Sequence, residues 1–216
     1  MKNEKCSPLP CSDALVDDLP LLLDFDGDHQ GVLDGKGAGT GLTWVDQPSK
    51  GTGYIPANLA VDEGAGTLNL TTTKGIAIGS TNSLDNALSV GVDAPSQKTA
   101  ITTTIARPPA GTGKYEQAGL WFGNNEDNYS KVVVVSTRSG TIIEHLLEVN
   151  GSTVSSQKSG PLNLTGKAVT LKLVANPSDR TVTASYRIGT ESEKTLGHVA
   201  PPGEFFSFDA AGCVSD

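Results

Sequence analysis

The chain has 216 residues, with 25 glycines, 12 prolines, only 19% charged residues and a net charge of −8. Its Lys and Arg residues are scattered singly, which excludes the clustered basic surface that binds nucleic acid, and no apolar stretch approaches the roughly 20 residues that span a bilayer. Glycine and proline at this level, without a helical window of Ala, Leu, Glu and Lys, predict an all-β chain that buries roughly 70% of its unfolded surface as one domain.

Residues 1–18 are polar, proline-containing and acidic towards their end, and read as a flexible leader or linker. A single domain is expected over 19–216. Leu19–Leu23 is short and interrupted by Pro20, so it is neither an anchor nor a signal core. Three cysteines leave three arrangements open: a Cys6–Cys11 bridge, a bridge from the tail to Cys213, or free thiols.

The most chemically pointed segment is Leu23–Asp34, LDFDGDHQGVLD. Asp24, Asp26 and Asp28 alternate around Gly27, and Asp34 precedes a glycine-rich run. Hard cations such as Ca²⁺ take six to eight oxygens, and such a loop lets them converge. It is not an EF-hand, since His29 stands where that loop needs glycine and Gly35 where it needs a bidentate carboxylate. If first and last strands pair, Asp209 joins Asp24, Asp26, Asp28 and Asp34 in a structural calcium site. The alternative is a solvated acidic turn whose aspartates cap backbone amides.

Strand candidates follow at 21–25, 42–45, 59–62, 67–72, 87–92, 99–106, 118–122, 131–136, 141–149, 153–158, 168–174, 181–188 and 205–208, separated by Gly, Asn and Pro turns. The hub is Glu116–Val135, where two apolar runs flank the polar turn Gly123–Asn128. After Lys131 the second run is unbroken valine, which suits a strand covered on both faces. Asn150-Gly151 is a strong two-residue hairpin signal. Alternation turns Val169, Leu171 and Leu173 one way, and likewise Val182, Ala184, Tyr186 and Ile188. Together these predict a two-sheet antiparallel β-sandwich of jelly-roll type. Sequons stand at Asn69, Asn128, Asn150 and Asn163, the turn positions Asn128 and Asn150 being the better acceptors in a eukaryotic secretory pathway.

Asp24-Phe-Asp-Gly27, Gly39-Thr-Gly-Leu-Thr43, Tyr54-Ile-Pro56, Thr67-Leu-Asn-Leu70 and above all Gln117-Ala-Gly-Leu-Trp-Phe-Gly123, followed by Asp127-Asn-Tyr129 and the valine run, carry a resemblance. Over about Leu21 to Asp209 the chain resembles the concanavalin A-like lectin/glucanase superfamily, and more narrowly LamG-like modules of extracellular multidomain proteins. The resemblance implies a two-sheet jelly roll, often with an edge calcium, that binds glycans or mediates adhesion outside the cell or at its surface as part of a larger protein.

Some members of that superfamily cleave polysaccharides, and laminarinase-like ones carry Glu-x-Asp-x-x-Glu. Here Glu144-His-Leu-Leu-Glu148 has its second glutamate one place early and Leu146 in place of Asp. Two glutamates four apart on a strand have Cα atoms about 13 Å apart, long for a hydrolytic pair. A lyase would use Tyr, His, Arg and Gln; His145, Gln117, Tyr129 and Arg187 exist without matching spacing. The expectation is therefore a non-catalytic carbohydrate-binding or adhesion module. Its rivals are a polysaccharide-cleaving enzyme and a spacer domain without a sugar site. Trp121, Gln117, Tyr129 and His145 are the candidate ligand contacts, because sugar recognition pairs an aromatic plate with amides and polar groups. Trp121 is either that plate or a core residue of a sheet covered on both faces.

Overall fold

The computed structural model describes residues 15–16, 21–46, 48, 50–92, 97–109 and 115–206, and the protein is all-β. Nearly all of the expected leader, the three cysteines and Asp209 lie outside the described residues. The described chain falls into two compact units, one of residues 15–77 with 81–92, the other of 78–80 with 97–206.

The first unit is built of short strands and long loops. It contains β1 (Leu15–Val16), β2 (Trp44–Asp46), β3 (Leu59–Asp62) and β4 (Thr67–Leu70). β5 (Ala77–Ile78) leads out of it, and β6 (Thr81–Asn82), β7 (Ala87–Ser89) and β8 (Gly91–Val92) follow. β1 pairs in parallel with β8, while β2–β7 and β3–β4 are antiparallel. Side chains hold the loops where ladders do not reach. Asp85 Oδ1 accepts the N–H groups of Thr52 and Gly53 at 3.0 and 3.1 Å, and Asn86, at φ 53°, bonds both backbone groups of Ile55. The strand expected over Leu21–Phe25 is absent: the segment is irregular and Leu22 is 76% exposed. An apolar run without alternation and without a partner strand does not by itself make a ladder.

The second unit is an antiparallel β-sandwich. One sheet is a meander of β10 (Gln117–Asn125), β11 (Asn128–Thr137), β12 (Gly140–Val149) and β13 (Ser152–Lys158). The other, of β9 (Thr99–Ile105), β14 (Val169–Asn176), β15 (Thr181–Ile188) and β16 (Lys194–Val199), runs in the order β16-β15-β14-β9. They pack with β10 against β9 and β14, and with β12 and β13 against β16.

The predicted alternation is what places the core. Val169, Leu171 and Leu173 are buried and Thr170 and Lys172 are not, while Val182, Ala184, Tyr186 and Ile188 bury the matching face of β15. Ser185 is buried out of pattern; its hydroxyl donates to Glu193 Oε1 at 2.9 Å where β16 shifts register. Val132–Val135 is buried on both faces, as an unbroken valine run requires. Val132 and Val134 face the second sheet, and Val133, Val135 and Ile142 form a separate cluster on the opposite side. Each such burial is worth about 1.5–3 kcal/mol.

The Asn150-Gly151 turn forms as predicted, with φ of 48° and 66°. It is tied to the β10–β11 turn: the Asn150 N–H donates to Asn128 Oδ1 and the Gly151 N–H to the Asp127 carbonyl, each at 2.9 Å. Of the strand expected over 205–208, the described part is instead a 3-10 turn, Gly203–Phe206, which sets the Phe206 ring 5.9 Å from that of Phe122.

Candidate functional site

Register decides what each face of the β10–β13 sheet carries. Trp121 pairs with Lys131, Gly123 with Tyr129 and Gly119 with Val133; across β11, Tyr129 pairs with Glu148, Lys131 with Leu146 and Val133 with Glu144. Alternation then puts Gln117, Gly119, Trp121, Gly123, Tyr129, Lys131, Glu144 and Glu148 on the face directed away from the second sheet. Ser156 and Lys158 of β13 continue it.

Trp121 is half-buried, with glycine two places before and two places after it on its own face. A Cβ at Gly119 would run into the Val132–Val133 backbone and one at Gly123 into Asn128 and Tyr129, so neither position accepts a side chain. The indole therefore stands without same-face neighbours along its own strand. Beside it, Lys131 Nζ donates to Gln117 Oε1 at 3.2 Å and lies 5.5 Å from the centre of the Tyr129 ring, a cation–π distance. Burial pulls the Lys131 ammonium below the usual lysine range, and Glu144 and Glu148 oppose that pull.

The two glutamates are already engaged. Glu144 accepts from Lys158 Nζ at 3.1 Å and Ser156 Oγ at 2.8 Å. Glu148 is fully buried and accepts the Gly79 N–H at 3.2 Å, and its burial raises its pKa. Tyr129, 4% exposed, has its hydroxyl pushed up in turn, by burial first and by Glu148 next.

Of the four expected ligand contacts, Gln117 and Trp121 thus share an accessible face. Tyr129 is on that face but buried, forming the floor under Lys131. His145 is on the other side: fully buried between the sheets, with Nε2 2.9 Å from Ser130 Oγ, it reaches no ligand. Strand parity separates it from Trp121, since its partner Val132 is one residue out of step with Lys131. Lys131 is the member the sequence reading missed. Its signal was the two-residue spacing from Tyr129, which becomes legible once the hairpin register sets it against Trp121.

The acidic segment resolves differently from the expected five-aspartate set. Asp24, Asp26 and His29 come together, with His29 Nε2 3.1 Å from Asp24 Oδ1 and 3.3 Å from Asp26 Oδ1. Asp28 Oδ1 instead accepts the N–H groups of Gln30 and Gly39. Asp34, almost wholly buried, accepts those of Lys36, Ala38 and Val61 at 2.8–3.0 Å. The Val61 N–H foremost holds the Asp34 carboxyl below its ordinary range. Asp34 also lines an open polar cavity of about 530 Å³ with Lys36, Asp62, Glu63 and Asn69. Asp209 lies outside the described residues. Two carboxylates and an imidazole do not by themselves fit an ion that takes six to eight oxygens, and Asp28 Oδ1 and both Asp34 oxygens accept backbone amides. Asp28 and Asp34 thus cap backbone amides, as in the alternative reading of this segment.

Among the described residues no helix is long and apolar enough to cross a membrane. No protein-family model matches the chain, and neither the curated proteins nor the solved structures searched include a significant match.

Proposed function

We propose that this chain is a non-catalytic carbohydrate-binding or adhesion module of the concanavalin A-like kind, working outside the cell or at its surface as part of a larger protein. The observation that carries the reading is the partly exposed Trp121 indole, set between Gly119 and Gly123 on its strand with the Gln117–Lys131 pair beside it. An indole stacks on the C–H-rich face of a pyranose, while the Gln117 amide and the Lys131 ammonium offer donors and an acceptor to its hydroxyls.

A glycan array with the whole chain tests this. Binding that Trp121→Ala abolishes at unchanged melting temperature supports the plate; an array without any hit leaves the spacer reading in its place.

Polysaccharide cleavage is the second reading, and it draws on Glu144 and Glu148 sharing that face, one of them with a raised pKa. Against it, Glu144 is held by Lys158 and Ser156, and Glu148 has no exposed surface. Incubation with β-glucans, alginate and xylan separates the two readings: new reducing ends or unsaturated products would establish the enzyme.

A further inference from the structure

The face of β12 turned towards the second sheet carries a feature that ligand binding does not use. His145 has no solvent exposure, and Ser130 Oγ is the one hydrogen-bond partner of its Nε2. Its Nδ1 makes no close hydrogen bond, although the Gln157 side chain lies near enough to interact with the ring. The Cα partner of His145 on β13 is Gln157, whose Nε2 donates to the His198 carbonyl of β16 at 2.7 Å, bridging the two sheets. Gln157 Oε1 is likewise buried and unpartnered. Gly197, at φ 150°, keeps β16 close: a side chain there would land on the Gln157 amide.

A neutral imidazole carries no charge into this pocket and keeps one hydrogen bond, to Ser130. An imidazolium would be buried against a serine hydroxyl and the Gln157 amide, neutral groups that cannot balance its charge. From β11 the facing polar group is Ser130, from β13 it is Gln157, and from β16 the ionisable group is His198, which disfavours a positive charge on His145. Glu144 and Glu148 project from the opposite face of the sheet.

We propose that His145 is an acid-release latch: its protonation separates β12 and β13 from β16 and loosens this sandwich below neutral pH. Burial pushes the imidazole down to about 4 from its ordinary 6.5, the Gln157 side chain opposing and His198 adding to the fall. Between those values the unfolded chain binds the proton and the folded chain does not. Stability is therefore full above the ordinary value and drains away as pH falls towards the lower one. The expected loss is roughly a hundredfold in the folding equilibrium constant. Asp28, Asp34 and Asp85 have lowered pKa values and give up their contributions only at lower pH. Asp46, raised to about 6 by burial, and Glu148 act with the opposite sign.

Urea unfolding of the whole chain at about pH 7 and about pH 4.5, for the natural protein, His145→Gln and Gln157→Glu, tests the latch. The natural protein should lose roughly a hundredfold more stability between the two pH values than His145→Gln. Gln157→Glu, which supplies a carboxylate beside the imidazole, should raise the His145 midpoint followed by NMR and flatten the acid loss. If His145→Gln does not fold, titration of His145 in the natural protein decides. Equal pH dependence in the natural protein and His145→Gln, or a His145 midpoint near 6.5, would overturn the proposal.

Discussion

Asp34 shows how much one side chain fixes in the loop-built unit. Its two oxygens take three backbone N–H groups from two separate segments, Lys36–Ala38 and Val61 at the middle of β3. Asp34→Ala removes the acceptor of all three donors, the buried Val61 N–H among them, at a cost of about 1–3 kcal/mol, which thermal denaturation reads as a lowered Tm. Asn at this position retains an acceptor and loses less. Acid acts on the same bonds: the lowered Asp34 pKa means that stability is held above the ordinary carboxylate value and lost as pH falls through the lower, folded one. Because Asp28 and Asp34 already accept backbone amides, a melting curve taken with excess calcium and another with chelator should coincide. A clear rise with calcium would return Asp24 and Asp26 to the role of ligands.

At the level of elements, the sandwich was legible wherever alternation was strong. The faces of β14 and β15 follow directly from Val169-Thr-Leu-Lys-Leu173 and Thr181-Val-Thr-Ala184. Leu171→Ala, at a side chain with no exposed surface, should therefore cost about 2–5 kcal/mol, measured by urea unfolding. β16 escaped the reading because Lys194-Thr-Leu-Gly-His-Val199 has a bulge and a glycine where a pattern would be. Leu21–Phe25 misled in the other direction, being apolar but unpaired. The candidate face was half legible. Gln117 and Trp121 follow from parity along one strand, whereas Lys131 and the exclusion of His145 depend on cross-strand register, which the sequence does not print. His29 was missed because its link to Asp24 and Asp26 arises from a loop, where no period carries information.

For the molecule as a whole, the net charge of −8 works against the approach of other polyanions. Aromatic residues make up only 5% of the chain. An indole left partly open between two obligatory glycines is thus an unusual use of a scarce residue. The core needs large side chains, and the β10–β13 sheet already fills its inner face with Phe122, Val132, Val134 and Ile143. Trp121 is not part of that layer; it lies on the opposite face of the sheet, which also carries Val133, Val135 and Ile142. Isothermal titration of natural protein and Trp121→Ala with an array-positive oligosaccharide, alongside their melting curves, is the most direct test. The account predicts heat of binding from the natural protein, none from Trp121→Ala, and melting temperatures that agree; retained binding, or a variant that no longer folds, would contradict it.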